Sequence, residues 1–400
     1  MVVVARNNYD AKTQSDNKLF LALFFVSFLF ALLTGSNRGI GLATAKALAS
    51  RGAHVVLTCR TLEKCQPAVD LINSKQPQHG SASAAVLNLN SLTSAVELSQ
   101  QLVQEYPEIH YVFCNAGTTP HFALTEEGLE DAFGGMHLAH VALVLGLMPS
   151  LRRAGETSKD PSRVVMVSSE MAINYVIGVF GNGYSSSSSA FNQQPQPLIS
   201  WEDLHGEITR GDGSLGNSLQ AYARAKLCNI LFAMELNRRM VESDWPVRAN
   251  AVHTGAVDTA SAREGIQNVF HHFPGLPWLV GHVYLPILFR QESGGARMLL
   301  CAAFSKADTI LRGGQYLDAL CHPFLPSEET YSITLDDDDE EMMDTVSINL
   351  PGRKTGPLIV FKDAIQALQV ADAYWSEPLW NMSLSLLQNS PAKKVVSYAP

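Results

Sequence analysis

The apolar run Phe28–Leu33 passes directly into Thr34-Gly35-Ser36-Asn37-Arg38-Gly39-Ile40-Gly41, and a helical stretch follows. An uninterrupted apolar run of this length reads as a strand covered on both faces, as in a parallel sheet. Glycines let the backbone turn tightly and let a pyrophosphate approach without a Cβ in the way. The helix start then presents unpaired N–H groups and the positive end of its dipole. Strand, glycine turn and helix in that order are the context a dinucleotide-binding turn requires. Gly35, Asn37, Arg38, Gly39, Ile40 and Gly41 are therefore the first candidate cofactor-binding residues. A glycine-rich turn that holds no ligand is the other reading of the same residues.

Further short apolar runs alternate with longer helical stretches. Strands are predicted at residues 54–59, 83–89, 111–117, 163–169 and 248–253, with another at 313–318. Helices fit at 39–51, 61–75, 91–105, 126–152, 219–242 and 292–303. The alternation predicts an α/β fold: a single Rossmann-type doubly wound parallel sheet flanked by helices, with surface insertions. Residues 1–18 read as a polar tail and 19–325 as the dinucleotide-binding domain. Within it, 176–218 is a low-complexity insertion containing Ser185–Ser189 and QQPQP (193–197). Residues 326–400 read as an acidic loop, with DDDDEE at 336–341, and a C-terminal helical extension that packs back through Trp375, Leu379 and Trp380.

The chain has 400 residues, is 46% hydrophobic and 17% charged, and carries a net charge of -9, which argues for a globular core and against nucleic acid as a partner. The six cysteines (Cys59, Cys65, Cys114, Cys228, Cys301, Cys321) form no CxxC pair and are expected to be reduced thiols in an intracellular protein. Residues 19–33 are apolar apart from Ser27, but a membrane-spanning helix wants about 20 such residues. Leu19–Ser27 is then an apolar lead-in or a membrane-touching segment, and no cleavable signal pattern follows. The expected location is the cytoplasm, with 19–33 as the stretch through which the chain would associate with the endoplasmic reticulum membrane.

The end of the second strand bears on cofactor choice. An acidic residue there would hold a ribose 2′-hydroxyl and repel a 2′-phosphate. This chain has Thr58-Cys59-Arg60, and Arg38 lies within reach of the same place. Two guanidiniums and no carboxylate favour NADP(H).

Tyr222 and Lys226 are four apart on a predicted helix, and so share a face. A phenol titrates near ~10, and an ammonium beside it lowers that value, so the tyrosine could exchange a proton with a substrate oxygen. Ser169 closes the run Val164–Ser169 at the C-terminal end of a central strand, where ligands sit in open α/β sheets. A hydroxyl there can stabilise a carbonyl becoming an alkoxide. Ser168 is the competing candidate, and the end-of-strand position favours Ser169.

TGSNRGIG (34–41), CNAG (114–117), VSS (167–169), YARAK (222–226) and HTGAVDT (253–259) resemble, in order, the motifs of the short-chain dehydrogenase/reductase family. The match spans about residues 28–320. LTCRTLEK (57–64) and AYARAKLCNILFAMEL (221–236) are most similar to its retinol-dehydrogenase-like branch, which includes WW-domain oxidoreductases, although no WW pattern is present here. The resemblance implies that Ser169 orients the carbonyl and Tyr222 passes the proton. It implies that Lys226 lowers the tyrosine pKa and binds the nicotinamide ribose. Asn88 and Leu89 would lie by the adenine, Asn115, Ala116 and Gly117 along its ribose, and Val257 and Thr259 at the carboxamide and phosphates. Three positions depart from the family pattern. Met136 stands where a relay asparagine is usual, Asn88 where an aspartate is usual, and Thr254 where a proline precedes Gly255. A thioether cannot hold the relay water, and His137 points elsewhere on the helix.

Residues 266–290 are rich in Phe, Leu, Val, Trp and Pro, and lie where the family builds its substrate lid. A lid would suit an apolar steroid, retinoid or lipid-like ketone or alcohol, while plain core packing is the alternative. His271 and His272 lack spaced partners, so no metal is expected. The sequence thus points to an NADP(H)-dependent oxidoreductase acting on an alcohol or carbonyl. Met136 keeps open a second class, a weakly active or inactive reductase-like scaffold that binds NADP(H). Membrane-surface contact and self-association are left open.

Overall fold

Phe30–Leu33 (β1) pairs in parallel with His54–Cys59 (β2) on one side and Tyr111–Cys114 (β4) on the other. The computed structural model describes residues 29–75, 80–117, 123–181, 215–255, 257–258, 263, 290–318, 321–323 and 359–400. Ser81–Val86 (β3), Ser162–Ser168 (β5), Val247–His253 (β6) and Tyr316–Leu317 (β7) complete a seven-stranded sheet among them, in the order β3-β2-β1-β4-β5-β6-β7. Every ladder is parallel. The chain order reverses between β1 and β4, and ligands in such sheets bind at that crevice, beyond the strands' C-terminal ends.

Side chains alternate across the sheet with period two. Leu32 and Val56 face a core built with Leu92–Glu105 (α3), Asp131–Ser158 (α4) and Leu215–Glu242 (α6). Ala31, Leu33, Val55 and Leu57 face the opposite core, with Gly39–Ala49 (α1), Leu62–Lys75 (α2) and Glu292–Phe304 (α7). Among the described residues the remaining helices are Glu170–Gly181 (α5), the short Asp308–Arg312 (α8), Ile359–Gln388 (α9) and a closing 3₁₀ turn, Pro391–Tyr398. Helix α4 is apolar and long enough to cross a membrane, but it is buried inside the fold and serves as a core helix.

Several boundaries differ from the sequence reading. The third strand is Ser81–Val86 rather than 83–89, so Asn88 and Leu89 lie in the loop before α3. The fourth ends at Cys114, which leaves Asn115–Gly117 as an extended tail beyond the ladder. Helix α4 starts only at Asp131, where the Glu130 carboxylate accepts from the Ala132 and Phe133 amides at 2.8 and 3.0 Å. Its second turn, Gly134–Leu138, is a π-turn.

The cysteine expectation is overturned. Cys59 is bridged to Cys65 and Cys301 to Cys321, while Cys114 and Cys228 are free and buried. The fold brings each pair's Cα atoms to 5.7 and 6.3 Å, within bridging range. Sequence spacings of 6 and 20 carried no such signal. Cysteine usage therefore gives no argument for a reducing compartment.

Helix α9 lies across α5 and α6. Leu379 and Trp380 are buried, and Trp375 is half-buried against the same core. The Trp380 ring stacks on Phe232 at 5.6 Å, and the Arg239 guanidinium lies 4.8 Å from its centroid. Each buried large apolar side chain is worth about 1.5–3 kcal/mol, a sizeable share of a domain stability of about 5–15 kcal/mol. The C-terminal helix is thus part of the core. Residues 1–28, 182–214, 264–289 and 324–358 lie outside the described residues, and with them the polar tail, the serine run, the lid candidate, His271, His272 and the acidic run.

Candidate active site

The glycine turn sits at the C-terminal end of β1. Gly35 and Gly39 have φ of 61° and 64°, a region L side chains rarely adopt. A Cβ on Gly41 would lie 2.5 Å from the Gly35 carbonyl oxygen and 2.9 Å from Asn115 Nδ2. Arg38 supplies no side-chain cap to α1, and no acidic residue occupies that helix's first turn. The helix start is thus left for an anion. These features fit a dinucleotide's pyrophosphate.

The turn is braced from two sides. The Ser36 hydroxyl donates to the Leu33 carbonyl at 2.9 Å and accepts from the Thr58 amide at 3.1 Å. This fixes the turn beside the end of β2, where Arg60 is exposed; Arg38 is exposed too. On the other side Asn115 Nδ2 donates to the Thr34 and Gly35 carbonyls at 3.0 and 3.2 Å. Asn115 therefore shapes the turn. Asn88 is engaged locally: its Oδ1 accepts from the Asn90 amide at 3.2 Å. Leu89 is half-buried, with its carbonyl near Gly135. Val257 packs with Ile40 around Gly295 at the start of α7. Thr259 lies outside the described residues.

Ser169, Tyr222 and Lys226 come together beyond β5. Burial pushes the Tyr222 phenol above its ordinary value, and the neighbouring Ser169 hydroxyl offsets part of that rise. Lys226 is buried, with Nζ 5.6 Å from the Tyr222 ring centroid. Its ammonium donates to the Val167 carbonyl at 3.1 Å. Burial lowers its pKa to about 8, opposed by the neighbouring Cys114. The ammonium is directed at a backbone carbonyl under the ring. The two serines divide the work: the Ser168 hydroxyl is spent on the Lys226 backbone carbonyl at 2.7 Å. Ser169 also accepts from the Met171 amide at 3.3 Å at the start of α5.

Met136 is buried in the π-turn. A Cβ on Gly117 would lie 3.4 Å from its sulfur and 3.5 Å from Lys226 Nζ, so thioether and ammonium flank one point. His137 points away, as the sequence predicts: Nδ1 donates to Asn229 Oδ1 at 3.1 Å, and Nε2 lies 3.4 Å from the Ser383 hydroxyl of α9. Thr34, His140 and Asn229 carry much of the local bonding, and no sequence reading singled them out. Thr34 lay inside the glycine motif. Asn229 follows Lys226 by three positions and His140 follows Met136 by four, the only signals available.

A family model described as short chain dehydrogenase matches residues 29–196. The WW domain-containing oxidoreductase of Gallus gallus is 32% identical over 306 residues, covering 74% of this chain and 63% of that protein. Retinol dehydrogenase 13 of Homo sapiens is 32% identical, covering 58% of this chain and 60% of that protein. The chain thus spans less than two thirds of the length of these curated relatives. Among solved structures, an uncharacterised protein from Mycobacterium paratuberculosis aligns with a TM-score of 0.50 at 26% identity, over 74% of this chain and 83% of that one. L-sorbose reductase from Gluconobacter frateurii, complexed with NADPH and L-sorbose, aligns at 0.50 with 17% identity, over 73% and 95%, a likeness of fold alone.

Proposed function

The chain belongs to the short-chain dehydrogenase/reductase family, and from that premise we propose that it is an NADP(H)-dependent oxidoreductase interconverting a ketone or aldehyde and an alcohol. The observation that carries this reading is the Ser169 hydroxyl and the Tyr222 phenol brought together over the buried Lys226 ammonium, at the crevice end of the sheet beside the glycine turn.

Gly35, Asn37, Arg38, Gly39, Ile40 and Gly41 would hold the pyrophosphate, and Arg38 and Arg60 the 2′-phosphate. Asn88, Leu89, Asn115, Ala116, Gly117, Val257 and Thr259 would line the rest. When bound, NADP(H) supplies or accepts the hydride. Ser169 donates a hydrogen bond to the substrate oxygen and Tyr222 exchanges the proton with it. Lys226 holds positive charge beneath the phenol, so the phenolate costs less than burial alone would make it. The substrate we propose is apolar: a steroid, retinoid or lipid-like carbonyl compound. We place the chain in the cytoplasm, with contact to the endoplasmic reticulum membrane through the segment before β1. Fluorescence titration with NADPH and NADH, followed by a ketone and alcohol panel at the nicotinamide absorbance, tests the proposal. Tighter NADH binding, or no turnover with any panel member, contradicts it.

A specific observation favours a second reading, a weakly active or inactive NADP(H)-binding scaffold. Met136 puts a thioether beside Lys226, and burial raises the Tyr222 phenol.

A further inference from the structure

The Met136 carbonyl, in the π-turn of α4, accepts from two buried side chains. His140 Nδ1 reaches it at 3.0 Å and Asn229 Nδ2 at 3.2 Å. A carbonyl only accepts, so the His140 proton sits on Nδ1. Nε2 is then a lone-pair acceptor, and the Thr34 hydroxyl lies 3.0 Å from it. With its proton given to His140, the Thr34 oxygen has two lone pairs left. The Asn115 and Ala116 amides point at them, both at 2.9 Å. Thr34 and His140 are fully buried, and burial lowers the imidazole pKa to about 4, which keeps it neutral and this tautomer in place.

On its far side the network continues to the lysine. Asn229 Nδ2 also donates to the Val167 carbonyl at 3.3 Å, the same oxygen that receives Lys226 Nζ. One chain of hydrogen bonds thus runs from Lys226 through β5, the π-turn and the end of β1 to the backbone tail Asn115–Gly117. A buried, fully partnered polar network fixes one arrangement of the elements it joins.

We propose that His140 is a positioning residue for the dinucleotide site: by orienting the Thr34 hydroxyl toward itself and anchoring the Met136 carbonyl, it holds the Asn115–Gly117 tail and the π-turn at a fixed distance on either side of Lys226. The inference rests on the reading of the glycine turn as a dinucleotide site. An apolar residue at 140 would leave the Thr34 proton only the longer contact to the Phe113 carbonyl, 3.4 Å away, and the Met136 carbonyl with one donor fewer. The Asn115–Gly117 tail would then be free to shift against the turn.

The test is a double-mutant cycle read in NADPH affinity by fluorescence, using Thr34→Val, His140→Leu and both together. His140→Leu is expected to weaken NADPH binding about tenfold, the worth of one buried hydrogen bond. Thr34→Val should weaken it comparably, and the double variant no more than either single one. His140→Gln, which keeps a donor and an acceptor, should recover most of the affinity. His140→Phe, which keeps the ring and the volume, should not, and it carries the cycle if the leucine variant fails to fold. Additive losses, or equal affinity in the phenylalanine and glutamine variants, overturn the inference and leave the functional reading standing. A wild-type chain that binds no NADPH overturns both.

Discussion

The Lys226 ammonium donates to the Val167 carbonyl at 3.1 Å, under the Tyr222 ring and out of solvent. The two residues join the helix that carries the phenol to the strand that leads into Ser169. Because the bond is to a neutral carbonyl, it offsets only part of the cost of burying the charge. The lowered lysine pKa is the consequence.

That lowering has a stability signature. Folded Lys226 titrates at about 8, and its ordinary value is 10.5. Between the two the unfolded chain binds more protons than the folded one, so this group's contribution to stability rises with pH across that window. Below 8 both states are protonated and the burial cost is felt in full. Lys226→Met should therefore stabilise the ligand-free protein below pH 8. The difference in Tm between variant and wild type should shrink as pH climbs toward 10.5. A difference independent of pH contradicts the buried, depressed lysine.

Arg38 and Arg60 are exposed at the turn and at the end of β2. A charge-assisted hydrogen bond is worth about 1.5–3 kcal/mol, which is about ten- to a hundredfold in affinity. Arg60→Ala should weaken NADPH by that factor and leave NADH within about threefold. Equal losses for both cofactors would assign Arg60 another task. Fluorescence titration of each cofactor makes the comparison.

Met136 separates the two functional readings. Met136→Asn puts an amide beside Lys226 in place of a thioether. On the enzymatic reading, turnover of the best panel substrate rises, within the range of about 10²–10⁴-fold that acid–base assistance spans. Inactivity of both forms against the whole panel, with NADPH still bound, favours the scaffold.

Residues Phe30–Leu33 are committed to the sheet. What remains of the apolar run, residues 19–29, would reach about 17 Å as a helix, against a hydrocarbon core of about 30 Å. Alkaline extraction of a membrane fraction should release the protein. Retention in the pellet would mean a true anchor.

The glycine turn and the Tyr222–Lys226 pair were legible because their chemistry needs fixed local spacings, and spacing survives in a sequence. Ser169 was legible as the last polar residue of an apolar run. The parallel sheet followed from apolar runs alternating with helices. What stayed hidden is non-local. The Thr34–His140 contact spans 106 positions and His137–Ser383 spans 246, so no window of sequence contains them. The Cys301–Cys321 bridge depends on where the chain passes after α7, while Cys59–Cys65 is local and was missed because its spacing is no recognised motif. The π-turn at Gly134–Leu138 has no periodicity of its own, and the late start of α4 turned on Glu130 serving as a cap.

The most direct measurement is hydride transfer in Tyr222→Phe, followed at the nicotinamide absorbance with the best ketone of the panel. The account predicts that kcat falls by about 10²–10⁴-fold while NADPH affinity stays at the wild-type value. Turnover that survives the loss of the phenol would contradict it.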